Sequence, residues 1–283
     1  MEVHRNFSLK NYNTFGIEAF AKYFVAPSNI DQLQNILKDA DFKSEQKLIL
    51  GSGSNMLFIN NFEGLVIHPR IMGKSIMTEN RDEAIIKANA GENWDEFVEW
   101  TVEQGFGGLE NLSLIPGTVG ACPIQNIGAY GVEVADCIEK VEVIDISSFK
   151  TKEFTTADCQ FGYRNSVFKT QFKNQYIITA VYFKLSKNPS LKTHYGSVEE
   201  ELKKMGEVNL STVRKAIINI RESKLPNPIE IPNAGSFFKN PIVKAVHAAD
   251  LKTKFPEISM YKTDRFNTNL KRLMLKHLNS SNP

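Results

Sequence analysis

Between Pro116 and Gly131 the chain sets four glycines and two prolines within sixteen positions, yet keeps Val119, Ile124 and Ile127 among them. Glycine lets a backbone approach another body closely, whereas the apolar residues require a core beneath them. Such a loop is built into the fold, because a surface loop has no need of so much apolar material. A large, partly buried cofactor accounts for both features; so does a tightly packed turn region inside the core. A second stretch, Gly51-Ser52-Gly53-Ser54-Asn55, follows the β-type run Lys47–Leu50. Its glycines can take positive φ, so that successive N–H groups converge on an anion. A Gly/Ser-rich hairpin turn is the plainer alternative. The dinucleotide fingerprint is excluded here: Met56 stands where its third glycine belongs, and Met56–Ile59 continues as an apolar run with no helix behind it.

Composition narrows the class. Lys+Arg 34 against Asp+Glu 32 leaves a net charge of +2 in 283 residues, which gives no field to drive nucleic-acid or anionic-membrane binding. Apolar runs such as Tyr176–Phe183 are too short to cross a bilayer. Met1-Glu2-Val3-His4-Arg5 leads into no apolar h-region. Cys122, Cys137 and Cys159 form neither a closed disulfide framework nor a CxxC pair, and the five histidines show no ligand spacing, so no metal site is expected. Cys122 and Trp94 read as core residues. A soluble, cytoplasmic globular protein is expected.

Strand-type runs, rich in Val, Ile, Tyr and Phe, occupy Lys47–Leu50, Gly64–Ile67, Ala84–Ala90, Lys140–Ile146 and Tyr176–Leu185. Ser28 is placed to cap a helix over Ile30–Asp39, and Asn93 to open one through Trp94, Phe97, Val98 and Thr101 that Gly105 stops. Ser197 and Ser211 each begin a helical pattern, the second running until Pro226 and Pro228. The fold class is therefore α+β: a mixed strand-and-helix domain, then a more helical one, with a boundary near 187–197.

Four motifs in order carry a resemblance. They are Gly51–Asn55, Ile115–Gly131, Tyr163-Arg164-Asn165-Ser166-Val167-Phe168-Lys169 and Asn233-Ala234-Gly235-Ser236-Phe237-Phe238-Lys239-Asn240-Pro241, with Asn13-Thr14-Phe15-Gly16 near the start. Over about residues 8–260 the chain closely resembles the bacterial UDP-N-acetylenolpyruvoylglucosamine reductase family (MurB). The resemblance implies an FAD-binding domain of the vanillyl-alcohol-oxidase (PCMH) type over 16–187, an incomplete α+β substrate-binding domain over 188–262, and a divergent basic tail over 263–283. It implies non-covalent FAD, NADPH as hydride donor, UDP-N-acetylglucosamine-enolpyruvate as substrate, and a monomer. It also implies a cytoplasmic place in peptidoglycan synthesis, and thus in cell-wall biogenesis, cell shape, cell division and the cell cycle.

On the same resemblance, FAD is held by Gly51, Ser52, Gly53, Ser54, Asn55, Pro116, Gly117, Thr118, Gly120, Ala121, Gln125, Asn126, Gly128, Ala129 and Gly131. Arg164 stabilises charge on the substrate carboxylate through a bidentate fork, and Ser236 donates a proton to the neighbouring carbon. Tyr195, Arg221, Lys224 and Asn240 bind the UDP sugar. Each of the first three has a plain structural alternative: cations at a helix end offset the dipole, and Tyr195 suits the edge of an element.

The resemblance stops after Tyr261. No Asp or Glu occurs from Arg265 to Pro283, so a glutamate that assists proton transfer late in the family's sequences has no counterpart. The leading expectation is the reductase; the alternative is a flavin-binding protein of impaired catalysis. A different PCMH-type oxidoreductase is disfavoured by the Asn233–Pro241 motif. The missing segment also predicts that Val213, Ile217, Ile220, Phe237 and Phe238 lack part of their cover, with Leu270, Leu273, Met274 and His277 at helical spacing as a partial substitute.

Overall fold

The computed structural model describes residues 1–195, 197–236, 239–263 and 270–274. It divides into two compact units, residues 1–234 and 235–283. In the larger, β1 (His4–Ser8), β2 (Phe20–Val25), α1 (Ile30–Lys38), β3 (Lys47–Ile49) and β4 (Phe62–Ile67) come first. They form a four-stranded sheet in the order β1-β2-β4-β3, antiparallel at β1/β2 and parallel elsewhere. Parallel strands need a crossover, and α1 lies in the connection from β2 to β3. Its buried Leu33, Ile36 and Leu37 follow the i, i+3, i+4 spacing and share a core with Val25, Leu65 and Ile67.

A second, antiparallel sheet has the order β10-β9-β11-β6-β5. Its strands are β5 (Lys74–Glu79), β6 (Glu83–Asn89), β9 (Ile138–Asp145), β10 (Thr151–Thr155) and β11 (Tyr176–Ser186). Between β6 and β9 come α2 (Trp94–Glu103) and the short pair β7 (Gly128–Ala129) and β8 (Val132–Glu133). In β6, Ala84, Ile86 and Ala88 alternate into the core, whereas central β11 is buried without interruption from Ile177 to Phe183. The main core lies on this sheet, where Trp94, Phe97 and Val98 of α2 pack with Phe183, Val181 and Val119.

Helices α3 (Val198–Lys203) and α4 (Leu210–Glu222) complete the larger unit, so its contacts continue past residues 187–197. Their packing corrects the expectation of uncovered apolar surface. Val213, Ala216, Ile217 and Ile220 are buried against Val198 and Leu202, with Tyr130, Leu191 and Met205 beside them. Phe237 and Phe238 lie outside the described residues. Two caps also differ. The α1 cap is Asn29, whose side chain accepts from the Gln32 N–H, while the Ser28 hydroxyl donates to the Gln32 side chain. The α4 cap is Asn209, in a capping box with Thr212, rather than Ser211. In both, the asparagine holds the extended φ and ψ that the cap position requires.

The smaller unit contains β12 (Ile242–Lys244), α5 (Ala245–Lys254), β13 (Ser259–Thr263) and β14 (Leu270–Met274). The sheet order is β12-β14-β13, antiparallel throughout. Residues 270–274 are thus a strand and not the helix their spacing suggests, because a five-residue run satisfies either period and pairing on both edges decides it. The rest of the expected tail helix, through His277, lies outside the described residues.

Candidate active site

Past β3 the backbone stays with its neighbour for one more bond, from Leu50 N to the Ile67 carbonyl at 2.9 Å, and then turns. Gly53 takes φ +66°, and a Cβ there would collide with the Tyr12 carbonyl oxygen, so only glycine fits. Among the described residues the N–H groups of residues 51–55 have no acceptor, and the Ser52 hydroxyl is buried without a partner. Beneath the turn, His68 Nδ1 lies 2.8 Å from the Leu50 carbonyl. Burial holds its pKa below the ordinary histidine value, which favours a neutral ring donating Nδ1–H.

The second glycine loop closes onto this turn. Ser54 Oγ donates to the Pro116 carbonyl at 2.9 Å, and Asn55 Nδ2 to Gln125 Oε1 at 3.0 Å. A Cβ on Gly51 would stand 3.0 Å from Thr118 Oγ1 and 3.5 Å from Ala121 Cβ. The loop is pinned from behind. Val119 N donates to the Glu92 carbonyl and Gly120 N to the Ala90 carbonyl, at 2.9 and 3.0 Å. A Cβ on Gly120 would come within 2.6 Å of the Ala90 Cβ, so this glycine serves packing. The Asn126 side chain is likewise committed: Nδ2 donates to Glu133 Oε2 and the Gly162 carbonyl, and Oδ1 accepts from Ala135 N. It ties the loop to the turn that carries Arg164.

Arg164 has φ +53°, rare for a residue with a side chain, and its Nη2 donates to the Gly128 carbonyl at 2.5 Å. Arg221, at the end of α4, donates from Nε to the Leu114 carbonyl at 3.2 Å. Burial lowers its pKa, and repulsion from Arg164 adds to that, against the pull of Tyr130 and Asp95. Burial raises the Tyr130 hydroxyl, and Arg221 opposes it. The Tyr195 ring meets Tyr130 edge-on at 6.1 Å and lies 3.5 Å from where a Gly131 Cβ would be. Lys224 stands apart, exposed, with Nζ 3.2 Å from Ser197 Oγ. Two cations and two tyrosines therefore gather at the Gly128–Gly131 end of the loop, an arrangement that recognises anions. Ser236 is exposed and Asn240 half-buried; both belong to the smaller unit.

Sequence reasoning passed over Tyr130, Leu114 and Asn111. Tyr130 and Leu114 take φ of +47° and +56°, and no residue-level signal announces a left-handed tyrosine or leucine. Fully buried Asn111 bridges the Tyr130 and Lys192 carbonyls at 3.1 and 2.8 Å, so it joins the loop of Tyr130 to that of Tyr195. Among the described residues no group of three His, Cys, Asp or Glu gathers as a metal site, and no helix is long and apolar enough to cross a membrane.

Unengaged amides, an unpartnered buried hydroxyl and two glycine loops closed on each other fit a dinucleotide cofactor with a pyrophosphate. Residues 21–148 match the family model described as an FAD binding domain. That stretch lies in the larger unit and makes the chain an α+β protein with a flavin-binding domain of the vanillyl-alcohol-oxidase (PCMH) type; the protein is a flavin-dependent oxidoreductase. UDP-N-acetylenolpyruvoylglucosamine reductase of Flavobacterium johnsoniae is 50% identical over 264 residues, covering 92% of this chain and 78% of that protein. The enzyme of that name from Amoebophilus asiaticus is 44% identical over 263 residues, with the same coverages of 92% and 78%. The reductase structure from Thermus caldophilus superposes with a TM-score of 0.64 at 24% identity, over 85% of this chain and 76% of that one, and speaks for the fold. The chain belongs to the UDP-N-acetylenolpyruvoylglucosamine reductase family.

Proposed function

We infer that the protein reduces the enolpyruvyl group of UDP-N-acetylglucosamine-enolpyruvate to give UDP-N-acetylmuramate, with NADPH as the electron donor. This is a step of peptidoglycan precursor synthesis in the bacterial cytoplasm, serving cell-wall biogenesis, cell shape, division and the cell cycle. One observation carries the reading. The two glycine loops, joined at Ser54–Pro116 and Asn55–Gln125, form one cradle, and its Gly128–Gly131 end bears Arg164 and lies against Tyr195.

Bound in the cradle, FAD supplies the two-electron chemistry of the reduction. The amides of Gly51–Asn55 and the Ser52 hydroxyl hold its pyrophosphate, with Pro116, Gly117, Thr118, Gly120, Ala121, Gln125, Asn126, Gly128, Ala129 and Gly131 shaping the rest of the bed. Attachment is non-covalent: Cys122, the loop's only thiol, is buried and its pKa lies well above the ordinary value, so it offers no thiolate. Arg164 pairs with the substrate carboxylate and stabilises charge that develops there. Ser236 donates a proton to the carbon beside the reduced methylene. Arg221 and Lys224 bind the diphosphate, and Tyr195 and Asn240 bind further polar groups of the nucleotide sugar. In this scheme residues 16–187 hold the flavin and 188–262 the substrate, and the protein works as a monomer without nucleic acid or membrane.

The test is direct. The purified protein is expected to be yellow, acid precipitation to release all its flavin, and NADPH oxidation to depend on added UDP-N-acetylglucosamine-enolpyruvate. Flavin without substrate-dependent oxidation would reduce the reading to a flavin binder of impaired catalysis.

A further inference from the structure

Arg221 does not stand alone on α4. Arg214 precedes it by seven residues, two helical turns, so both leave the same face. Arg214 is buried and forks onto Asp95 of α2, Nη1 to Oδ1 at 2.6 Å and Nη2 to Oδ2 at 3.1 Å, with Glu99 Oε1 at 3.3 Å from Nη2. Asp95 has a further task. Its Oδ1 also accepts the Leu114 N–H at 2.5 Å, and Leu114 holds φ +56°, a conformation that costs a branched residue free energy unless neighbours enforce it. The carbonyl of that same Leu114 receives Arg221 Nε. One carboxylate thereby governs both supports of Arg221: the rotation of α4, through Arg214, and the direction of the Leu114 carbonyl.

We propose that Asp95 is a positioning residue for substrate binding, which through Arg214 and the Leu114 peptide holds the Arg221 guanidinium in place beside Tyr130 and Arg164. Its carboxylate is engaged by the Arg214 guanidinium and the Leu114 N–H, so its effect on binding passes through them. A purely structural pair would fasten α4 to α2 and need no bond to the N–H of the strained residue whose carbonyl receives the second arginine. The inference rests on the reading of Arg221 as a substrate-binding cation, and the two can fail separately.

The experiment measures KM for UDP-N-acetylglucosamine-enolpyruvate, kcat, and the rate of flavin reduction by NADPH, on flavin-loaded protein. Asp95→Asn keeps an oxygen for Leu114 but loses the charge facing Arg214, and Arg214→Lys keeps the charge but loses the fork. Each is expected to raise KM by about tenfold, with kcat and flavin reduction changed less than about twofold, the pattern of lost binding rather than lost chemistry. Arg214→Lys serves if Asp95→Asn does not fold. In an Arg221→Ala background either substitution is expected to change KM by less than about twofold, since residues acting through one another are non-additive. A full additional effect in that background overturns the positioning role while leaving Arg221 as a substrate ligand. An Arg221→Ala protein with unchanged KM removes the reading of Arg221, and the proposal with it.

Discussion

The turn at Gly51–Asn55 and the cluster around Arg221 both face anions in the proposed reaction, yet they are made from opposite materials. The turn offers backbone: amides without acceptors among the described residues, glycine where a Cβ would strike Tyr12, and small side chains. The cluster offers side chains, and the residues that aim them, Leu114, Tyr130 and Arg164, hold left-handed φ without being glycine. A backbone cradle needs only room and a fixed path. A side-chain cluster needs every member held by a neighbour, which is why Asp95, Asn111, Asn126 and Gly128 all direct hydrogen bonds toward it. Damage to the first should therefore remove the flavin, and damage to the second should spare it.

The largest expected effect is on the cradle. In Gly53→Ala the new Cβ meets backbone, with φ at +66°, so the turn must move. Flavin content after purification, read from the visible absorbance per chain, is expected to fall by about tenfold or more, given a strained substitution that backbone cannot absorb. A fully loaded protein would break the comparison.

Next come the side chains. Arg164→Met and Ser236→Ala are each expected to lower turnover by about 10²-fold, the scale of a lost charge stabiliser or general acid. Flavin content should be unchanged, and flavin reduction by NADPH should persist. If flavin reduction fell as far as turnover, these residues would belong to the scaffold.

A smaller effect sharpens the point that Cys122 supplies no thiolate to the cradle. Burial pushes the Cys137 and Cys159 thiols up to about 12, and Cys122 well above its usual value. A thiol reagent at pH 8 should label none of the three in folded protein within minutes and all three in denaturant. Rapid labelling of the folded chain would show that the loop opens.

The smallest effect concerns His68 under the turn. Its folded pKa is lowered by burial, so the unfolded chain binds the extra proton first. Its contribution to stability is full above about pH 6.5 and is lost as pH falls through the lowered value, at no more than about 1.4 kcal/mol per pH unit. Urea midpoints between pH 5 and 7 should fall on acidification, and less steeply in His68→Asn. Equal slopes would place the titrating group elsewhere.

Much of this molecule is legible locally. The Asn93 cap, the α2 stripe of Trp94, Phe97 and Val98, and the strand cores can be read within a turn or two of chain, the range over which capping and periodicity act. Where local reading misses, it misses by a neighbour. Asn29 takes the cap assigned to Ser28, Asn209 the one assigned to Ser211, and the 270–274 run becomes a strand because partners lie on both of its edges.

By itself the sequence determined the two glycine loops, the order of the four motifs and hence the family, and the residues that must be buried. Only the tertiary structure decided which side chains meet. Asn55 finds Gln125 across 70 residues, Arg221 finds the Leu114 carbonyl across 107, and Arg214 finds Asp95 across 119. Asp95 alone reads as an ordinary acid in a helix's first turn, where it suits the dipole. Its hold on Arg214 and Leu114 depends on α4 lying beside α2, and each helix is placed by its own apolar core, α2 on the sheet and α4 against α3, so no pattern in the chain between them carries it.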